Sequence, residues 1–257
     1  MTMINSYKPT DLANVDISFK DPYDINSKIP VPPLLESERV QVVPFIPAIH
    51  GEVFYNEHAK HPSLGEYLPI HWTTYENFLA FIELLFRQDP DSVLFAIIDK
   101  TQPPSSDPEG ANIPHGRIAG IIGWLHGSPH TRSLEIGPVV ILPAFQRTHV
   151  STNAIGLLLR YALDRPGQGG LGYRRVAWCA DPRNEASLKA AEKMGFVREG
   201  VLRWTWELPV GKEGKEVDSA GGGRGAGRGR DSAVLSLCWD EWEGGTRDAV
   251  LERMARV

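Results

Sequence analysis

The sequence predicts an α/β chain of the α+β kind, with a mixed, mostly antiparallel central sheet and helices on both faces. Two observations predict it. Short β-branched and apolar runs bounded by turn residues alternate with runs whose apolar residues recur at helical spacing. The order of the two kinds also changes along the chain. Strands that pair through turns come first, and a strand-helix-strand-helix unit follows from residue 133. At 257 residues and 42% hydrophobic content, the chain is long enough for one good core. A single domain with tails is expected rather than two domains.

Residues 1–36 are polar and proline-bearing and end in Ile29-Pro-Val-Pro-Pro33, which predicts an extended arm ahead of a domain spanning 37–257. A first strand is expected at 39–45, then helices at 46–59 and 74–86 around a Pro-rich turn, and a second strand at 92–98. Residues 101–115, rich in Pro, Ser, Asp and Gly, predict a loop before a third strand at 117–125. A fourth strand, 133–142, feeds a helix at 152–163, where Ile155, Leu158, Leu159 and Ala162 share one face. A short strand, 175–179, meets a turn and a helix from Asn184 to about Met194, with Gly195 as its stop. Strands at 196–208 and 232–239 close the sheet, and 248–257 is a short amphipathic helix. Between those last strands, residues 211–230 carry Gly221-Gly-Gly-Arg-Gly-Ala-Gly-Arg-Gly-Arg230, a composition that predicts a mobile insertion.

Composition bounds the function. A formal charge of -5 argues against general nucleic-acid affinity. The Arg-Gly tract has few arginines and no interleaved aromatics, so RNA binding is not expected of it. Cys179 and Cys238 are the only cysteines, and both fall in strand-like runs. They read as buried free thiols in a reducing compartment, and a cytoplasmic location is expected. The 8 histidines and 2 cysteines form no zinc spacing, no secretory signal opens the chain, and no stretch is apolar enough to span a membrane.

Two phrases carry chemistry. Leu142-Pro-Ala-Phe-Gln-Arg-Thr-His-Val-Ser-Thr-Asn153 lies between a strand and a helix. A helix start aims unpaired backbone N–H groups and the positive end of the dipole at one point, which suits a pyrophosphate. Ser151 and Thr152 add hydroxyls for the cap or the anion. The second phrase is Asp181-Pro-Arg-Asn-Glu-Ala-Ser187, leading into Lys193-Met-Gly-Phe-Val-Arg-Glu-Gly200, with Asn184 as an N-cap.

Through Pro143, Gln146, Arg147, Thr148, Thr152 and Ala154, and then Asn184, Ser187, Gly195, Phe196, Glu199 and Gly200, the chain resembles the GNAT acetyltransferase superfamily. It is most similar to the Rim-type, ribosomal-protein acetyltransferase branch. The resemblance spans roughly residues 37–242. It implies a GNAT fold whose fourth and fifth strands splay to admit the pantetheine arm of acetyl-CoA as the co-substrate. It assigns pantetheine and carbonyl contacts to Val139, Val140 and Ile141, the pyrophosphate to Gln146, Arg147, Thr148, His149, Val150, Ser151 and Thr152, and a further pantetheine contact to Asn184. Gly137-Pro138 inside the fourth strand suits such an irregularity, since proline donates no ladder hydrogen bond. Ser187 would give a proton to the departing thiolate.

Departures from the family pattern fall at His149 and Ser151, which occupy small-residue positions of the phosphate loop. The His149 ring must turn outward or join the phosphate site, and outward is the expectation. Asn153 replaces a usual glutamate. The branch's basic glutamate falls near Trp206, leaving Glu207, which faces the other way if the strand is regular, and Glu135 as candidate catalytic carboxylates. Trp72, Tyr75, Trp124, Trp204 and Trp206 are candidate walls of an acceptor pocket. The acceptor is a small-molecule amine or a protein N-terminus, with a monomer or a homodimer equally compatible. The competing reading is a non-catalytic GNAT-like CoA-binding module, or an RNA- or protein-interaction module that uses the Arg-Gly insertion.

Overall fold

The computed structural model describes residues 4–6, 15–104, 113–218 and 223–256. Its core is an eight-stranded sheet. The strands are β1 (Leu35–Glu36), β2 (Val40–Pro44), β3 (Val93–Asp99), β4 (Arg117–Ser128), β5 (Ser133–Ile141), β6 (Arg175–Ala180), β7 (Val197–Glu207) and β8 (Gly229–Cys238), in spatial order β1-β2-β3-β4-β5-β6-β8-β7. Every neighbouring pair is antiparallel except β5 and β6, which run parallel. Two consecutive strands can lie parallel only if a crossover returns the chain to the same end of the sheet. Here α3 (His149–Leu163) is that crossover.

The two sheet faces carry separate apolar layers, as the sequence predicts. On one face, α3 and α6 (Arg247–Ala255) pack Val150, Ala154, Leu158, Val250 and Met254 against Val40, Ile122, Trp124 and Val176. On the other, α1 (Glu52–Ala59) and α2 (Tyr75–Ile82) pack Phe54, Phe78, Phe81 and Ile82 against Phe45, Leu94, Ile121 and Val140. Burial of each such side chain contributes about 1.5–3 kcal/mol. Thr74 caps α2 by accepting from the Asn77 N–H at 3.2 Å. Helix α4 (Glu185–Lys193) follows β6, and a one-turn α5 (Trp239–Glu241) follows β8.

The described part of the arm, from residue 15, is laid across the domain. Ile29 is buried in the α3-side core, the Lys28 N–H donates to the Pro90 carbonyl at 2.9 Å, and the Tyr161 hydroxyl donates to the Pro30 carbonyl at 3.0 Å. Residues 105–112 of the expected 101–115 loop lie outside the described residues. The flanks of the 211–230 insertion are anchored: Lys215 and Gly229 form a backbone bridge, and the Lys212 ammonium donates to the carbonyls of Gly65, Leu68 and Ile70. Its centre, 219–222, lies outside the described residues.

Candidate active site

The site begins with a failure of pairing. Strands β5 and β6 share only three residue pairs, Ser133 with Arg175, Leu134 with Val176 and Glu135 with Ala177. Beyond Glu135, β5 continues to Ile141 while paired only with β4. Across from it, Gly137 and Pro138 lie opposite the single residue Gly123, since Ile136 pairs with Trp124 and Val139 with Ile122. That is a bulge, and it re-aims the strand where it leaves β6. A Cβ on Gly123 would sit 2.7 Å from the Gly137 carbonyl oxygen, so glycine is required at that approach.

The splay opens a cleft of about 160 Å³. Its walls include Glu135 to Val139 of β5, Trp178 to Asp181 at the end of β6, Asn184 and Ser187 of α4, Tyr67 to Ile70 from the α1–α2 connection, and Trp206 and Arg230. Residues far apart in sequence therefore meet where the sheet divides.

Asn184 caps α4, its side-chain oxygen accepting from the Ser187 N–H at 3.0 Å. The Ser187 hydroxyl oxygen accepts from the Trp178 indole N–H at 3.0 Å. An indole nitrogen only donates. That contact fills one lone pair of the serine and leaves its proton free to be donated elsewhere. Glu135 stands at the point of divergence, 3.3 Å from His126 Nδ1. This hydrogen bond raises the His126 pKa against the opposing effect of burial. Beside Glu135, the Cys179 thiol is pushed up to about 12, first by burial and then by the Glu135 carboxylate. Cys179 is neutral at ordinary pH and is no nucleophile. It is half-buried in the cleft wall and not fully buried as the sequence suggests.

Glu207 does not face the cleft. Its carboxylate accepts from the Gly227 N–H at 2.9 Å and holds the end of the insertion, while Trp206 lines the cleft. The strand is nonetheless irregular. Three residues, Arg203 to Thr205, lie opposite Asp231 alone, with Trp204 at φ 56° and its N–H donating to the Asp231 carboxylate at 2.9 Å. Glu199 of the second phrase is a structural ion. It accepts a two-point contact from Arg175 at 2.5–2.6 Å and a bond from Ser236, and Arg175 holds it down to about 2.

The helix that follows the first phrase starts earlier than expected. Thr148, not Ser151 or Thr152, is the N-cap of α3, accepting from the Val150 N–H at 3.3 Å while its hydroxyl donates to the Phe145 carbonyl at 2.6 Å. The N–H groups of Thr148, His149 and Ser151 have no intrahelical acceptor. The side chain of Gln146 donates to the Ile141 carbonyl at 3.0 Å, and Arg147 is exposed with φ 60°. The His149 ring does not turn outward. Its Nε2 lies 3.2 Å from Asp99 Oδ1, against the end of β3, where the almost fully buried carboxylate offers the ring a hydrogen-bond partner. The ring therefore leaves the helix start open.

Of the candidate aromatic walls, Trp206 alone lines the cleft. Trp124 is core, stacked on Tyr161. Trp72 packs on His58 and Phe81, Tyr75 on Tyr55, and Trp204 stands exposed under the Lys215 ammonium. Sequence reasoning missed Trp178, Asp181 and Arg230 in the cleft. The turn Asp181-Pro-Arg was the available signal for the second, the end of the Gly-Arg run before an apolar stretch the one for the third, and nothing local marked Trp178. Among the described residues, no helix is long and apolar enough to cross a membrane.

Residues 39–197 match the acetyltransferase (GNAT) domain family. No curated protein matches the sequence. Among solved structures, the chain is similar to a GCN5-related N-acetyltransferase from Brucella melitensis, with TM-score 0.67 at 24% identity over 86% of this chain and 85% of that one. It is also similar to RimJ of Mycobacterium smegmatis in complex with CoA-disulfide, with TM-score 0.59 at 14% identity over 86% and 93%. A third likeness is to spermidine N-acetyltransferase from Vibrio cholerae in complex with CoA and spermine, with TM-score 0.55 at 12% identity over 80% and 99%.

Proposed function

Because the chain belongs to the GNAT acetyltransferase family, we propose that it is an acetyl-CoA-dependent N-acetyltransferase that acetylates a primary amine in the β5–β6 cleft by direct transfer. The observation that carries this reading is the free inner edge of β5 ending at an open helix start. Backbone groups of Ile136 to Ile141 that face the gap need hydrogen-bond partners. The amides of an extended pantetheine arm would meet that need at Val139, Val140 and Ile141. Uncommitted N–H groups at the start of α3, with Gln146, Arg147, Ser151 and Thr152 around them, suit the pyrophosphate.

Acetyl-CoA supplies the acetyl thioester. The residues around it hold the amine, take its proton and return one to sulfur. Glu135, with His126 beside it, is the carboxylate placed to accept the amine proton directly or through water. Ser187 is placed to donate to the departing thiolate, its other side fixed by Trp178. The neutral Cys179 thiol supports direct transfer over an acetyl-cysteine intermediate. Within the family, the Asn184–Ser187 pair supports the Rim-type branch, while Trp206 stands where that branch has its glutamate and departs from it. The acceptor is a small molecule or a protein N-terminus.

Calorimetric titration with acetyl-CoA tests the reading. We expect micromolar binding, worth roughly 8 kcal/mol, and release of free CoA when an accepted amine is added. An Asn184→Asp variant keeps the carbonyl-type oxygen that caps α4 but loses the amide donor. It should bind acetyl-CoA more weakly at unchanged thermal stability. Absence of acetyl-CoA binding by the wild-type chain would overturn the proposal.

A further inference from the structure

We propose that the acceptor amine carries a carboxylate, and that Arg230 is the specificity residue that receives it. This rests on the acetyl-transfer reading and deepens it. Arg230 pairs with Trp206 across β7 and β8, three residues ahead of Ala233, which faces the last residue of β6. It therefore lies past the end of β6, at the cleft, where Asp181 leaves the sheet.

Its environment does not suit a structural arginine. The residue is only 6% exposed, and its Nε has no hydrogen-bond partner. A guanidinium keeps its charge in a protein, and a buried charge without a hydrogen-bonded counter-ion is strongly unfavourable. The nearest carboxylate oxygen is on Asp181, 3.9 Å from Nε, too far for a hydrogen bond. Asp181 is already committed to Arg183, accepting from its backbone N–H at 2.9 Å, its Nε at 3.0 Å and its Nη2 at 2.7 Å. Glu135 is the other carboxylate that acts on Arg230 from the cleft side, and Arg183 opposes it. Asp231 next in sequence is held by Lys215 and the Trp204 N–H. Arg230 is thus a planar fork of donors at an open cleft whose Nε has no carboxylate within hydrogen-bond distance, and an anion from a ligand would satisfy it.

Acetyl-CoA does not supply that anion. Its phosphates belong at the start of α3, beyond the far end of β5, and the pantetheine arm and acetyl group are neutral. The acceptor is therefore the source of that anion. An arginine fork matches a carboxylate through two parallel bonds. A cationic polyamine would bring a second ammonium toward Arg230 and be disfavoured. With Glu135 across the cleft for the amine and Leu68, Ile70, Phe81 and Trp206 as apolar walls, the site fits a small amino carboxylate with an apolar body.

The test uses the full chain, acetyl-CoA, and a panel of L-amino acids paired with their amides, which present the same amine without the carboxylate. Rates are expressed per neutral amine to remove the difference in amine pKa. The expected result is a kcat/KM at least about tenfold higher for carboxylate members. In Arg230→Met that ratio should fall to within about threefold of one, with acetyl-CoA affinity by calorimetry unchanged, and Arg230→Lys should recover part of it. Equal use of both members, or no use of any carboxylate member while acetyl-CoA still binds, would overturn the proposal. An equal loss on both members in Arg230→Met would do the same and would move Arg230 to the thioester carbonyl or the sheet. Failure of the wild-type chain to bind acetyl-CoA is a separate result, and it would refute the acetyl-transfer reading instead.

Discussion

Replacing Ser187 with alanine has two consequences that separate in a second variant. The Trp178 indole N–H donates to the Ser187 hydroxyl at 3.0 Å, and Trp178 is 3% exposed. Ser187→Ala leaves that buried donor without an acceptor, which costs about 1–3 kcal/mol. For a chain of this size each kcal/mol lowers Tm by roughly 2–4 °C, so the single variant should melt roughly 2–12 °C below wild type. It should still be folded at 25 °C, because domains of this kind hold about 5–15 kcal/mol of stability. Trp178→Phe in the same chain removes the orphaned donor while keeping most of the apolar volume, and should restore part of the lost Tm. Turnover should not return with it. If Ser187 gives its proton to sulfur, both variants should turn over about a hundredfold more slowly at saturating acetyl-CoA. That is the low end of general-acid contributions, since a thiolate leaves readily. Differential scanning fluorimetry reads the first effect and a thiol-release assay the second. Wild-type turnover in Ser187→Ala would refute the acid role. A double variant as unstable as the single one would refute the pairing with Trp178.

Lys212 holds the insertion against the cleft rim through the Gly65, Leu68 and Ile70 carbonyls. Lys212→Met should raise the acceptor KM by about tenfold, a loss near 1.4 kcal/mol, with acetyl-CoA affinity unchanged, as separate steady-state titrations of the two substrates will read. Burial pushes the His50 pKa down to about 4, and its Nδ1 must be unprotonated to accept from the Ile46 N–H at 3.0 Å. Below 6.5 the unfolded chain takes up a proton that the folded chain refuses until about pH 4. Stability carried by His50 is therefore present above 6.5 and lost as pH falls through that window, by about 3 kcal/mol at most. Urea melts between pH 7 and pH 4 should show a shallower loss for His50→Gln than for wild type. The raised pKa of Cys179 predicts that iodoacetamide at pH 8 leaves this thiol unmodified in the folded chain and modifies it after denaturation, as peptide mass spectrometry will resolve.

What was legible in the sequence was what local chemistry decides. Asn184 is an N-cap because an asparagine before a helical run satisfies its first N–H groups, and Ser187 follows one turn later on the same end. Gly137-Pro138 announced an interruption, and the β4–β5 register has one there. The separation of Trp206 from Glu207 also followed from strand alternation, despite the bulge just before them. What was not legible depends on partners distant in sequence. The His149 ring turns to Asp99, fifty positions away along the chain, so reasoning from the helix start alone sent it outward. Arg230 read as the last letter of a low-complexity tract. Its burial arises only when β8 is laid between β6 and β7, and the change from Gly-Arg repeats to the apolar run after it is the one local sign that the strand begins there. Glu199 matched a family motif, yet its task here is to hold Arg175.

The position of the site follows from backbone accounting more than from any single side chain. A strand edge inside a sheet is normally filled by its neighbour, and exposed edges belong at the rim. Here β5 loses its neighbour after Glu135, and roughly six residues, about 20 Å of strand at 3.3 Å each, run on to the loop before α3 unpaired on that side. Two features keep the gap from closing. The bulge at Gly137-Pro138 turns β5 away on one side. On the other, β6 ends at Ala180 in the Asp181–Arg183 turn, where the Asp181 carboxylate is tied down by Arg183 and α4 begins. Closing the gap would break both the turn and the cap. The sheet thus keeps a line of donors and acceptors that an extended, amide-bearing ligand can satisfy along its length. The groups that would act on such a ligand, Glu135 at the point of divergence and Ser187 on the first turn of α4, are fixed by the same two features that hold the gap open.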